Sequence, residues 1–272
     1  MKILKNYEQE LKLRGLSKDT LNAYTYANEK FLEFIKKDPK EVSSNDVKRY
    51  INHLLDKNQK PKTINLTIAA LKSYYSEYRG RKFFKNIRRV KLENKMPNVL
   101  SKQELKDMIN LTDNQKHKLI IKCLYSTGIR VGELVKIKTE DLDLENGFLR
   151  VISGKGKKDR LTIISKELCS EIRLFIKEDQ IYLFPNRKGN CLTRRAIQVI
   201  INKAAKKANI KRNIYPHALR ASFATHLYEK GTQLQKIQKL MGHSDWKTTL
   251  GYAKSVRVDI KDVENPLDSL NS

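Results

Sequence analysis

The sequence predicts a mainly α-helical protein of two domains with one small β-hairpin, and three observations predict it. Apolar residues recur at three-and-four spacings along most of the chain. Two short β-type runs in the second half flank a basic, glycine-bearing stretch. A segment without apolar periodicity near residue 95 divides the 272 residues in two, as expected at roughly 150 residues per domain.

Taken in order, Tyr7 and Leu11 mark a first helix, Leu21, Tyr24, Phe31, Phe34 and Ile35 a second, and Val47, Tyr50, Ile51, Leu54 and Leu55 a third. Gly15-Leu16-Ser17 supplies a break and an N-cap, Ser43 or Ser44 caps the third helix, and Pro61 stands where a fourth, 63–78, begins. These helices make an all-helical domain of residues 1–90. Residues 91–99 read as a linker, because the stretch has no apolar period and carries Pro97. Ser101 with Glu104 three residues on is a capping box that opens the second domain, 100–255. Helices follow at 118–125, ending at Thr127-Gly128, and at 131–137. The runs 148–153 and 160–165 pair as a hairpin around Gly154-Lys155-Gly156-Lys157-Lys158-Asp159. Helices resume at 166–178, 193–208, 217–229, 233–240 and 245–253, and a tail, 256–272, remains. Val256, Val258, Ile260, Val263, Leu267 and Leu270 make that tail too apolar to stay free in water.

Charge narrows the function. The 56 Lys and Arg against 30 Asp and Glu leave a net +26, with +12 in residues 1–95 and +14 in residues 96–272. Such a field calls for a polyanion, and its even spread calls for contact with both halves, so double-stranded DNA is the first candidate partner. No run of about 18 apolar residues and no apolar N-terminal segment before a cleavage site is present, so no membrane partner is expected. Cys123, Cys169 and Cys191 lie far apart without metal-ligand spacing and read as buried thiols of a cytoplasmic protein. No metal and no cofactor are expected.

Five places carry candidate chemistry. Arg130, in Ser126-Thr127-Gly128-Ile129-Arg130-Val131-Gly132-Glu133-Leu134, falls on the first turn of a helix, where free N–H groups and a guanidinium fork make a phosphate cradle. Alone, it is equally a surface arginine paired with Glu133. Lys155 sits between two glycines at the hairpin tip, which is also what a merely soluble turn looks like. His217 and Arg220, three apart after Pro216, share a helix face beside the apolar stripe of Leu219, Phe223 and Leu227. That face offers a phosphoryl oxygen one donor that titrates near neutrality and one that stays charged, or is an ordinary exposed polar face. His243 follows the break at Gly242. Tyr252 lies about 200° around its helix from Leu250, away from the core, or is an ordinary interfacial tyrosine.

Two arginines, two histidines, a turn lysine and a core-averted tyrosine, without a carboxylate cluster for a metal, suit a transition state that spreads negative charge over phosphoryl oxygens. In this order, through Gly154-Lys155-Gly156, Pro216-His217-Ala218-Leu219-Arg220, Leu240-Met241-Gly242-His243 and Tyr252, the chain resembles the tyrosine recombinase (phage integrase) family. The resemblance covers residues 100–255 closely, and the first domain is similar to the family's core-binding, SAM-like domain. The length is similar to the Xer branch, and archaeal members above all. Ala221 departs from the His or Arg that many relatives carry after the second arginine.

The resemblance implies the two-domain tyrosine recombinase fold and a site-specific recombinase. Tyr252 would attack a phosphodiester to give a 3′-phosphotyrosine, with Arg130 and Arg220 on the non-bridging oxygens and a hydrogen bond from His243. Lys155 would protonate the leaving 5′-oxygen, His217 would act on the tyrosine proton, and Glu133 would position Arg130. It implies strand exchange through a Holliday junction by a homotetramer on two DNA sites, monomeric or dimeric when free, with the tail docking on a neighbouring protomer, beside the alternative of a tail folded back on its own domain, in cis without DNA and in trans at synapsis. Xer-type chromosome dimer resolution stands beside mobile-element integration or excision, type IB topoisomerase-like relaxation and non-catalytic DNA binding. Arg194, Arg195, Gln198, Asn202 and Lys203, on the helix at 193–208, are candidates for reading bases in a groove, or a solvated basic face.

Overall fold

The structure, a computed structural model, describes residues 4–92, 98–152 and 159–242, apart from the side chain of residue 85. The chain divides into two compact units, Met1–Asn94 and Lys95–Ser272. Among the described residues no helix is long and apolar enough to cross a membrane.

The first unit is helical: α1 (Lys5–Leu13), α2 (Lys18–Ile35), α3 (Ser44–Asp56) and α4 (Pro61–Lys72). Ser17 caps α2 through the Thr20 N–H, and Ser43, rather than Ser44, caps α3 in a reciprocal box with Asp46. Pro61 takes the first turn of α4, where a missing N–H costs nothing. The expected fourth helix does not stay α-helical to residue 78, because Ser73–Tyr78 winds as a wider π-helical turn. That turn brings Tyr74 and Tyr75, adjacent in sequence, both into the core, edge to face at 4.9 Å between ring centres. They pack with Tyr7, Phe31, Ile64 and Leu71. Asn65 then receives the chain end, its side chain bonding both the N–H and the carbonyl of Val90.

The second unit opens on α5 (Lys102–Asn110), capped by Ser101 and Glu104 as the sequence predicts. It continues through α6 (Gln115–Thr127), the single turn α7 (Val131–Leu134), β1 (Leu142–Asp143), β2 (Phe148–Val151), β3 (Arg160–Ile163), α8 (Lys166–Phe175), α9 (Arg194–Lys207), α10 (Pro216–Glu229) and α11 (Leu234–Met241). The expected helix at 131–137 is thus one turn, and the expected strand pair makes two strands, β2 and β3, of a three-stranded antiparallel sheet ordered β1-β2-β3. The β2–β3 register pairs Leu149 with Thr162 and Val151 with Arg160.

That register inverts the apolar alternation of β3. Leu161 and Ile163 face outward, and Thr162 is fully buried, its hydroxyl donating 2.8 Å to the Thr127 carbonyl at the end of α6. The sheet is therefore fastened through a polar contact to the helix end that carries the first arginine motif. Cys123 and Cys169 are buried thiols as expected, and burial pushes Cys123 up to about 12, but Cys191 is only half-buried.

Candidate active site

Gly128 ends α6 in the left-handed region at φ 61°, which lets Ile129 drop into the core and leaves Arg130 as the cap residue of α7. A Cβ on Gly128 would stand 2.2 Å from the Phe223 ring of α10, so only glycine fits between the two helices. Helix α10 is buried on nearly every side. Ser222 accepts from the Leu100 N–H at 2.8 Å, and His226 shares a 2.9 Å hydrogen bond with the Tyr125 hydroxyl.

Arg220 therefore departs from the shared outward face expected of it and His217. His217 is exposed on the first turn of α10, whereas Arg220 is 1% exposed. Pro216 and the residues from Ala218 to His226 are buried so evenly around α10 that the helix has no solvent stripe wide enough for both residues. The Arg220 guanidinium donates to the carbonyls of Gly128 and of Met241, the latter at 2.6 Å, and so spans from the end of α6 to the end of α11.

Arg130 is about one-third exposed and reaches the same place. One of its terminal nitrogens donates 3.3 Å to the Gly242 carbonyl and the other 2.9 Å to Glu133 Oε1. The two arginines thus bond consecutive carbonyls, Met241 and Gly242, directly before His243 in the chain. Glu133 also accepts the Arg130 backbone N–H at 2.7 Å. From β3 it accepts both terminal nitrogens of Arg160, at 3.0 and 2.8 Å. Burial alone would raise the Glu133 carboxyl, but the Arg160 fork, the Arg130 N–H and the Arg130 guanidinium outweigh it and hold the group at about 2. The folded value lies below the ordinary one. The ionised carboxylate therefore adds stability above about pH 4.5 that is lost as pH falls toward 2.

Two guanidinium groups share the one Glu133 carboxylate, an excess of one positive charge in a partly buried site, and the Arg220 guanidinium stands at the neighbouring Met241 carbonyl. A dianionic or anionic ligand relieves that excess, and a planar fork favours phosphate oxygens.

The outer face of α9 carries Arg194, Arg195 and Lys203 exposed, with Gln198 and Asn202 half-buried, while Ile197, Ile200, Ile201, Ala204 and Ala205 turn inward. Arg194 lies over α7: a Cβ added to Gly132 would come within 3.2 Å of its Nε. This groups one groove-helix candidate with Arg130 and Glu133. Lys155, His243, Tyr252, the helix expected at 245–253 and the tail at 256–272 lie outside the described residues.

Arg160 is the residue that the sequence reading missed. The Leu161 and Ile163 alternation puts apolar residues inside and arginine outside, and the adjoining lysines make Arg160 look like part of a solvated turn. The one usable signal was parity with Thr162, a β-former placed opposite Leu149.

The phage integrase family model matches residues 98–257, and the phage integrase N-terminal SAM-like domain model matches residues 3–84. Tyrosine recombinase XerA of Pyrococcus horikoshii is 35% identical over 258 residues, 93% of this chain and 88% of its own. The crystal structure of XerA recombinase covers 95% of this chain and 94% of its own at 30% identity and a TM-score of 0.55. A lambda integrase tetramer bound to a Holliday junction shares the fold, with a TM-score of 0.75 over 97% of this chain and 78% of its own at 18% identity. On family match and on identity across nearly the full length, this chain belongs to the phage integrase family of tyrosine recombinases, which are site-specific recombinase enzymes.

Proposed function

We propose that this chain cleaves and rejoins double-stranded DNA at a specific site, through a covalent 3′-phosphotyrosine at Tyr252, in Xer-type resolution of chromosome dimers. The observation that carries the reading is the convergence of Arg130 and Arg220 on the Met241 and Gly242 carbonyls. It sets two cations beside the residue that precedes His243, in a site with surplus positive charge.

In this reading the Tyr252 oxygen attacks phosphorus and the bond to the 5′-oxygen breaks. His217 receives the phenol proton, Lys155 delivers one to the departing oxygen, and Arg130, Arg220 and His243 hold the non-bridging oxygens. Religation by another strand's 5′-hydroxyl reverses the steps, so the phosphodiester energy is conserved. Arg194, Arg195, Gln198, Asn202 and Lys203 face the groove, and the first domain, 1–90, grips the duplex through phosphates. Four protomers on two duplexes exchange strands in pairs, with the tail at 256–272 linking neighbours. The XerA relatives support the Xer role.

A nicked substrate that loses its 5′-fragment on cleavage tests the reading, because the covalent adduct then accumulates. Absence of adduct on the natural site overturns it. DNA binding itself is expected to weaken steeply with salt, at a log–log slope of about −0.9 per neutralised phosphate. A flat salt dependence would show that the basic surface is not the contact. For the general acid, Lys155→Ala is expected to cleave slowly on ordinary DNA and to recover about 10²-fold or more on a 5′-bridging phosphorothiolate, whose sulfur leaves without a proton. No recovery moves the proton to Lys157, Lys158 or a histidine.

A further inference from the structure

Arg160 opens β3, directly after the basic segment 154–159 of the sequence. Its side chain is 8% exposed. Its Nε donates 2.9 Å to the Leu240 carbonyl in the last turn of α11, and its two terminal nitrogens take both oxygens of Glu133 on α7. A Cβ on Gly242 would stand 2.7 Å from its Cδ, so the left-handed glycine at the end of α11 lies directly against it. One side chain therefore fastens β3, α7 and the end of α11 together.

The carboxylate shows what the contact does. Glu133 has about four lone-pair sites, and four donors reach it: the Arg130 N–H, one Arg130 guanidinium nitrogen and two from Arg160. With the Arg160 fork in place the carboxylate plane is set, and the Arg130 guanidinium has one orientation in which it meets Oε1. Without the fork, two acceptor sites are empty and only the two Arg130 donors are left to hold the plane. Stability is a poor reason for such a pair, since a buried ion pair rarely outperforms apolar packing of the same volume. Orientation is what the geometry provides.

We infer that Arg160 is a positioning residue for strand transfer, aligning Arg130 through Glu133 and holding the end of α11, which leads into His243, against the same carboxylate. The inference rests on the recombinase reading above.

The test is single-turnover cleavage of the nicked substrate by Arg160→Met, Arg160→Lys, Glu133→Gln and the Arg160→Met, Glu133→Gln double variant, with DNA affinity measured in parallel. Arg160→Met is expected to cleave about 100-fold more slowly, as misplacement of a reacting group by about an ångström does, with DNA affinity nearly unchanged. Arg160→Lys keeps the charge but not the fork, and is expected to regain about 10-fold over Met. The double variant is expected to cleave no more slowly than the slower single variant, because both act through one contact. Cleavage by Arg160→Met within about twofold of the parent, lysine no better than methionine, or fully additive losses each overturn the inference. If Arg160→Met does not fold, Arg160→Lys decides alone, since cleavage at the parent rate refutes a need for the fork. A parent protein that forms no adduct brings down the recombinase reading itself; adduct formation with indifferent Arg160 variants brings down only this inference.

Discussion

Replacing Tyr252 by phenylalanine is expected to abolish covalent attachment to DNA, by at least about 10⁴-fold in single-turnover rate, while duplex affinity stays nearly constant. The nucleophilic oxygen is removed, and phenylalanine keeps the ring that any packing role needs. Affinity is expected to come instead from the +26 charge spread over both halves of the chain, which favours contacts to many phosphates. Denaturing gel analysis of a labelled nicked substrate reads the first quantity and filter binding the second. An adduct persisting in the phenylalanine variant would place the nucleophile elsewhere and refute Tyr252.

The second large effect is on stability. Gly128→Ala is expected to destabilise the second unit by about 2 to 4 kcal/mol, from the left-handed backbone and from overpacking against Phe223 together. The two sources separate in the double variant Gly128→Ala, Phe223→Ala, where the ring no longer blocks the methyl but φ 61° remains unfavourable. Urea unfolding of the full chain, followed by fluorescence, checks both. A loss below about 0.5 kcal/mol in the single variant would mean that the α10 ring yields readily and that Gly128 does not set the helix spacing.

Much of the fold could be read from the sequence because the relevant signals are local. The Ser101–Glu104 box, Pro61 at the start of α4 and Gly128 at the end of α6 each act over three or four residues, and each is found where expected. The π-helical turn at Ser73–Tyr78 was not legible, because its apolar residues fit an α-helical stripe equally well and only packing of two adjacent tyrosines selects the wider winding. Strand β1 has two residues, too few to show any period. At the candidate site the motif order marked Arg130 and Arg220, but not that Arg220 would be interior. A helix buried all round has no stripe from which to infer a face. Arg160 was hidden for the opposite reason, since its strand shows a clear alternation that the tertiary structure inverts through Thr162 and Thr127.

Interior arginines have a consequence for how the protein can vary. Arg160 and Arg220 belong to the packed framework as much as to the site. Substitutions there lower the amount of folded protein in a cell that clears unfolded chains, along with any change in rate. The exposed residues of α9, by contrast, have no such burden: Arg195 and Lys203 can change at constant abundance. Variation at constant abundance is thereby channelled to that outer face, while the interior arginines behind it are held fixed by the requirement to fold.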